Sequence, residues 1–104
     1  MNFNQFNLDT RLNAGIKHAG YQKPTPIQES AIPLALAGHD LIGTAQTGTG
    51  KTAAFVLPIL NKLLSGPRKR TRALIITPTR ELAEQINQTV TELSRGTNLR
   101  SIVV

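Results

Sequence analysis

A glycine-rich loop followed by lysine and threonine constrains this sequence more than any other feature. Glycines let backbone N–H groups turn toward a ligand, a lysine reaches β- and γ-phosphates, and a hydroxyl holds Mg²⁺. Here Ala45 stands where the general pattern has glycine. The segment predicts a phosphate-binding loop for a nucleoside triphosphate, and it consists of Ala45, Gln46, Thr47, Gly48, Thr49, Gly50, Lys51 and Thr52.

The flanks of the loop support this interpretation. Residues 40–44 have the pattern of a short buried strand, and residues 51–64 that of a helix whose N-terminus would face the phosphates with its positive dipole end. The alternative, a surface turn rich in glycine and threonine, would not require lysine and threonine at a helix start. Strand, loop and helix together favour the nucleotide site.

Composition narrows the class of protein. The 104 residues suffice for one small domain, although nucleotide-binding α/β domains usually contain more strands. The 12 lysines and arginines against 6 acids favour a polyanionic partner without choosing between nucleotide, nucleic acid and acidic lipid. No cysteine is present for a thiolate metal site, and His18 and His39 are interpreted as solvated. Without a signal peptide or membrane span, the sequence predicts a cytoplasmic protein.

Three more helices are predicted from caps and apolar spacing. The first covers residues 9–19. The second begins at Thr25 and Pro26 and ends at Gly38, with Pro33 expected to kink or divide it. Its shared face consists of Ile27, Ala31 and Leu34. The third is capped by Thr79, and its apolar face consists of Leu82, Ile86, Val90 and Leu93.

Two apolar runs complete the pattern. Residues 73–76 and 102–104 are typical of parallel strands buried on both faces. The order of elements predicts an α/β fold, a three-layer sandwich with a parallel sheet and right-handed crossovers. Because the last strand would lack a covering layer, we expect the chain to be the first part of a larger domain.

Three stretches carry a family resemblance: GYQKPTPIQ at 20–28, AQTGTGKT at 45–52 and PTRELA at 78–83. They resemble the Q motif, motif I and motif Ia of DEAD-box ATP-dependent RNA helicases, and the residues between them look most like the bacterial RhlE-type subgroup. The resemblance implies a partial RecA-like P-loop NTPase domain. Residues 1–38 would be a helical N-terminal segment with the Q motif, and residues 39–104 the first part of helicase domain 1.

The resemblance also implies an adenine site. The Gln28 amide would pair with N6 and N7 of adenine, which favours ATP over GTP, and the Tyr21 ring would stack on the base. Phe3 would pack against the nucleotide site, and Thr25 belongs to the same motif. Without the resemblance, Tyr21 would be a core aromatic and Gln28 a solvated helix residue.

For catalysis, the resemblance implies Lys51 on the phosphates and Thr52 as a Mg²⁺ ligand. The acids of motif II and the arginine fingers of a second domain do not occur in these 104 residues, so the chain alone is expected to be inactive. The parent reaction would be RNA-dependent ATP hydrolysis coupled to local duplex opening.

Motif Ia implies contact of Pro78, Thr79 and Arg80 with the RNA backbone. From the residues alone, Thr79 capping a helix and Arg80 pairing with Glu84 are favoured, and both roles can coexist. The run at 68–70, with Arg72 nearby, is interpreted as a solvated loop, with an RNA-facing patch as the alternative.

Two rival functions stay open. The chain could be a stand-alone nucleotide- or RNA-binding module without turnover. A small P-loop kinase or GTPase is less favoured, because the sequence has no Asn-Lys-x-Asp signature and the Q motif would have no role.

Overall fold

Four α-helices and two short 3-10 helices form the framework of the described residues. The structure is a computed structural model that describes residues 2–46, 48 and 50–104. The α-helices are α1 (Asn13–His18), α2 (Pro26–Leu36), α3 (Lys51–Leu63) and α4 (Arg80–Leu93), and the 3-10 helices are Phe3–Phe6 and Thr10–Leu12. All four predicted helices are therefore present, although the first divides into a 3-10 turn and α1.

Helix α2 begins with the cap that the sequence predicts. The Thr25 hydroxyl accepts from the Gln28 N–H at 3.4 Å, and Pro26 occupies the first turn, where its missing N–H costs nothing. The helix continues through Pro33, so Pro33 does not divide it, and the alternative expectation of a kink stays a prediction. Pro33 is exposed, while Ile32 beside it is fully buried, so the helix is packed against the core at the turn where Pro33 lacks a hydrogen bond.

The buried face of α2 differs from the predicted one. Gln28 and Ile32, four residues apart, point into the protein, whereas Leu34 is 47% exposed. Ile27 and Ala31 border a groove instead. The prediction failed because it chose only apolar residues, and here a glutamine occupies a buried position.

The core lies between the helices. Helix α2 packs most extensively on α3, while α4 contacts both α1 and α3. Leu12, Ile32, Leu57 and Leu93 are fully buried at its centre. The radius of gyration of 12.9 Å equals the value of about 13 Å expected for a compact chain of this length.

Helix α1 reaches α4 through a glycine. A Cβ atom on Gly15 would lie 2.6 Å from the carbonyl carbon of Leu93 and 2.7 Å from the carbonyl oxygen of Glu92. Only a residue without a side chain permits this approach. The backbone of α1 therefore packs directly on the last turn of α4.

The predicted parallel sheet is not shown, because the described residues contain no β-strand. A strand requires ladder hydrogen bonds to a neighbour, and none joins the three predicted strand segments here. Their side chains are open to water: Ile42 is fully exposed, and Leu74, Ile76 and Ile102 are more than four-fifths exposed. Among the described helices, none has the length and apolarity needed to cross a bilayer.

Candidate nucleotide-binding site

The predicted phosphate loop ends at the N-terminus of α3. Gly48 and Gly50 have φ angles of +86° and +80°, and Gly50 is the N-cap of the helix. The Ala54 N–H donates to the Gly50 carbonyl at 3.2 Å, so the N–H groups at 51–53 have no acceptor within the helix. They are available for an anion. Thr47 and Thr49, also predicted to bind the nucleotide, lie outside the described residues.

Gln28 joins this loop to the start of α2. Its Oε1 accepts from the Thr25 N–H at 2.9 Å, and its Nε2 donates to the Gly50 carbonyl at 3.0 Å. The side chain is 3% exposed, so both bonds are shielded from water. A Cβ on Gly50 would collide with Nε2 of Gln28. The Q motif and the phosphate loop are thus fixed to each other by one amide.

The predicted adenine contact of Gln28 is not tested by this arrangement. An amide oxygen can accept two hydrogen bonds and an amide nitrogen can donate two, so each end keeps one further bond to offer. The solvated role that the residue type alone suggested is wrong, because Gln28 is buried.

Tyr21 forms part of an aromatic stack. Its ring lies on the ring of Phe3, with centroids 5.8 Å apart and an interplanar angle of 22°. Phe3 is buried and also meets Phe6 edge to face at 5.6 Å. Burial, followed by the negative charge of Glu92, raises the pKa of the Tyr21 hydroxyl above its ordinary value. Phe3 thus supports one face of the Tyr21 ring, and Tyr21 itself is half-buried.

Lys51 is exposed, and its Nζ donates to the Ala45 carbonyl at 3.2 Å. The ammonium group therefore lies across the loop, bonded to the first residue of the motif. An ammonium has three donors, so this bond leaves two for phosphate oxygens. Thr52 follows in the first turn of α3, half-buried.

An apolar groove of about 410 Å³ adjoins Lys51. It lies between α2, α3 and residues 39–43, and among the side chains that line it are Ile27, Ala31, Phe55 and Ile59. His39 also borders it, and His18 approaches Glu92 at 3.6 Å on the surface. Within the described part of the chain, no cluster of three or more potential metal-binding side chains occurs.

The predicted RNA-contacting residues lie at the start of α4. The Thr79 hydroxyl accepts from the Leu82 N–H at 3.1 Å, which confirms the cap. The Arg80 Nε lies 3.5 Å from a carboxylate oxygen of Glu84, which confirms the helical pair. Both side chains are exposed, so the pair contributes little to stability. Arg80 can therefore leave Glu84 and bind another anion.

The C-terminal end of α3 carries a feature that sequence reasoning missed. Arg68 Nη1 donates to the Leu63 carbonyl at 2.8 Å, and Arg72 Nη1 donates to the same carbonyl at 3.0 Å. Arg11 Nη2 approaches the Leu64 carbonyl at 3.5 Å. The positive charges meet the negative end of the helix dipole. Basic residues just after a predicted helix were the available signal.

A carboxylate completes this end of the helix. Hydrogen bonds from the Arg11 side chain and N–H, together with the charge of Arg68, lower the pKa of Asp9 to about 2. The Asp9 N–H donates to the Asn61 side chain at 2.7 Å. The N-terminal segment is thereby attached to α3, 52 residues further along the chain.

Comparison with known proteins decides the family. The DEAD/DEAH box helicase family matches residues 25–104, which includes the whole phosphate loop and the start of α4. The chain belongs to this family. Among curated relatives, ATP-dependent RNA helicase DBP10 of Candida albicans is 50% identical over 102 residues. That match covers 98% of the chain but only 11% of the relative.

Solved structures show the fold of this part of the chain. The RNA helicase Prp28 of Chaetomium thermophilum, bound to ADP, superimposes with a TM-score of 0.89 at 42% identity, over 99% of this chain and 26% of that one. Dbp5 of S. cerevisiae, bound to RNA and ADP BeF3, gives 0.84 at 38% identity, over 92% of this chain and 25% of that one. The chain therefore has the RecA-like helicase fold over the part it covers.

Proposed function

We propose that these residues are the N-terminal part of an ATP-dependent RNA helicase. The full-length protein would couple ATP hydrolysis to local opening of RNA duplexes. The observation that supports this best is the Gln28 amide, which holds the Q motif against a phosphate loop at the N-terminus of α3. The family match and the relatives named as RNA helicases support the same activity.

In this proposal each end of the site has its own task. Tyr21 stacks on adenine, and Gln28 reads its edge with the remaining bonds of its amide. Thr25 orients Gln28, and Phe3 supports Tyr21. The resulting preference is for ATP over GTP.

The phosphates would bind where α3 begins. Backbone N–H groups of the loop and the Lys51 ammonium would hold them, with the positive helix end behind. Thr52 is the hydroxyl that fits Mg²⁺, and this ion would neutralise phosphate charge when bound. The proposed loop contacts are Ala45, Gln46, Thr47, Gly48, Thr49, Gly50, Lys51 and Thr52. Groups that orient the attacking water would come from outside these residues.

Further proposals follow from the family. Residues 1–38 form the helical segment with the Q motif, and residues 39–104 begin helicase domain 1, whose parallel sheet forms once neighbouring strands pair with residues 40–44, 73–76 and 102–104. Pro78, Thr79 and Arg80 contact the RNA backbone. The residues between the motifs look most like the bacterial RhlE-type subgroup, which we propose together with a cytoplasmic location; the curated relative DBP10 is a yeast protein and tests neither proposal.

A substitution of Lys51 tests the function. In the full-length protein, Lys51→Ala should reduce RNA-stimulated ATP hydrolysis by at least about a hundredfold, because the transferred phosphoryl group loses its nearest fixed cation. Lys23→Ala is the matched control, since Lys23 is an exposed lysine without a hydrogen bond or ion pair among the described residues. Near-normal turnover of the Lys51 variant would contradict the assigned role. A wild-type protein that binds nucleotide and RNA but does not hydrolyse ATP would instead support the rival function, a stand-alone binding module without turnover.

A further inference from the structure

The positive charge of the chain is concentrated at one end of α3. Five of the twelve lysines and arginines lie in residues 62–72, and this stretch contains no aspartate or glutamate. All five side chains are exposed, and they belong to Lys62, Arg68, Lys69, Arg70 and Arg72. We call residues 66–72 the basic loop. A surface with this charge attracts polyanions.

The basic loop is held in place, which distinguishes it from a solvated charge run. Arg68 and Arg72 share the Leu63 carbonyl, and Arg72 also donates to the Pro67 carbonyl at 3.3 Å. Gly66 has a φ of +104°, and a Cβ there would lie 3.1 Å from a guanidinium nitrogen of Arg72. Two arginines are thus anchored on a helix end, and the backbone turns around them.

This anchoring leaves the middle of the loop to face outward. Lys69 adopts a φ of +61°, an unusual conformation for a residue with a side chain. Lys69 and Arg70 make no hydrogen bond or ion pair within the part of the chain that the structure describes. Residues held in such uncommon backbone conformations occur frequently at ligand-binding sites.

We propose that the basic loop binds the phosphate backbone of RNA, as a contact separate from the start of α4. The proposal rests on the proposed helicase function. Residues 66–72 contain no large apolar side chain to anchor a protein partner or enter a bilayer, whereas exposed lysine and arginine suit phosphates. Helix α3 has 13 residues, so about 18–20 Å separates the loop from Lys51 at its other end. RNA at the basic loop therefore leaves the phosphate loop free.

The test is a pair of double variants in the full-length protein. Lys69→Gln with Arg70→Gln removes two unpaired charges of the loop, while Arg68 and Arg72 keep their carbonyl contacts. Lys17→Gln with Arg95→Gln removes the same charge from exposed positions elsewhere. Binding of a single-stranded RNA is measured at several salt concentrations. Each lost phosphate contact should lower affinity about five- to eightfold at about 0.1 M salt and reduce the salt slope by about 0.7–0.9.

For the loop variant, which removes two contacts, we expect an affinity loss of about 25- to 60-fold and a salt slope reduced by about 1.4–1.8, and for the control little loss. When the loop variant is combined with Arg80→Ala, the fold-losses in RNA affinity of the two variants should multiply, because separate contacts contribute independently. An equal loss in both double variants would overturn the proposal, since net charge alone would then explain binding. An unchanged RNA affinity of the loop variant would also overturn the proposal, whether or not this variant binds less well to vesicles of anionic lipid. If the wild type itself shows no salt-sensitive RNA binding, the proposed helicase function fails as well.

Discussion

At the scale of single residues, the Gln28 amide carries more of the local architecture than its residue type suggests. One side chain satisfies the N–H that precedes α2 and the carbonyl that precedes α3. A buried amide that loses either partner leaves a polar group without a hydrogen bond, at a cost of about 1–3 kcal/mol. Substitutions at this position should therefore affect both structure and ligand.

The first prediction concerns nucleotide choice. Gln28→Ala should weaken the preference for ATP over GTP by about 1–3 kcal/mol, because the amide that we propose to read the adenine edge is lost. Competition titrations of the two nucleotides on the full-length protein measure the effect. Gln22→Ala is the control, since Gln22 lies exposed in the same motif. A wild type that binds ATP and GTP equally would refute the adenine assignment.

A second prediction concerns how Asp9 makes the stability of the protein depend on pH. Asp9 has a pKa lowered to about 2 by Arg11, so its ionised form is favoured in the folded state. The resulting stabilisation is present above its ordinary pKa near 4 and is lost as the pH falls toward 2. Because the carboxylate is only half-buried, solvent weakens the effect. Between about pH 5 and pH 2, the melting temperature of the Asp9→Asn variant should therefore fall less than that of the wild type. An unchanged pH profile would contradict it.

At the scale of elements, the contact between α1 and α4 depends on the absence of a side chain. Gly15 allows the backbone of α1 to touch the carbonyl groups at Glu92 and Leu93. Tyr21 follows α1 closely, and Glu92 contributes to its raised pKa. The position of the aromatic stack therefore depends on how α1 rests on the helix that begins with Thr79 and Arg80.

The third prediction places a methyl group at that contact. Gly15→Ala should destabilise the protein by about 1–3 kcal/mol or more, because neighbouring backbone must move apart. It should also weaken ATP binding through displacement of Tyr21. Thermal unfolding and nucleotide titration measure both effects, with Lys17→Ala on the same helix as the control. Full stability of the Gly15 variant would show that α1 can shift without cost.

Helices were predictable from this sequence because their signals are local. The Thr25 and Thr79 caps and the helix after Gly50 follow from residues close together in the chain. The contacts of Gly15 with α4 and of Asp9 with Asn61 join residues far apart, and no periodicity indicates them. The phosphate loop was recognisable because its residues are consecutive in the chain. The Gln28 bond to Gly50 was missed because it joins residues that are far apart.

At the scale of the whole molecule, apolar surface is divided unevenly. The helices bury a continuous core, whereas Ile42, Leu74, Ile76 and Ile102 remain in water. These side chains belong to the segments predicted as strands, and a strand segment without neighbours also exposes unpaired N–H and carbonyl groups. The sequence patterns predicted strand character but not pairing, because pairing depends on partners.

The fourth prediction follows for the 104-residue chain by itself. It should self-associate and melt with low cooperativity, because contiguous exposed apolar groups favour contact between copies. Size-exclusion chromatography over a range of concentrations and thermal unfolding measure this. Exchanging Ile42 and Ile76 for threonine should shift the chain toward monomer, whereas exchanging the buried Ile32 should not. A sharp monomeric peak of the unchanged chain with a cooperative transition would contradict the prediction.

The bond between Gln28 and the phosphate loop has a kinetic consequence. Because one amide accepts from Thr25 and donates to Gly50, withdrawal of Gln28 from either partner loosens the other. The Thr25 N–H should then exchange with deuterium at a rate set by how often the loop swings open, although Thr25 lies 25 residues before Gly50 in the chain. A nucleotide that holds the loop closed would slow this exchange. The exchange rate of the Thr25 N–H, at the N-cap of α2, would therefore report how often the phosphate loop opens.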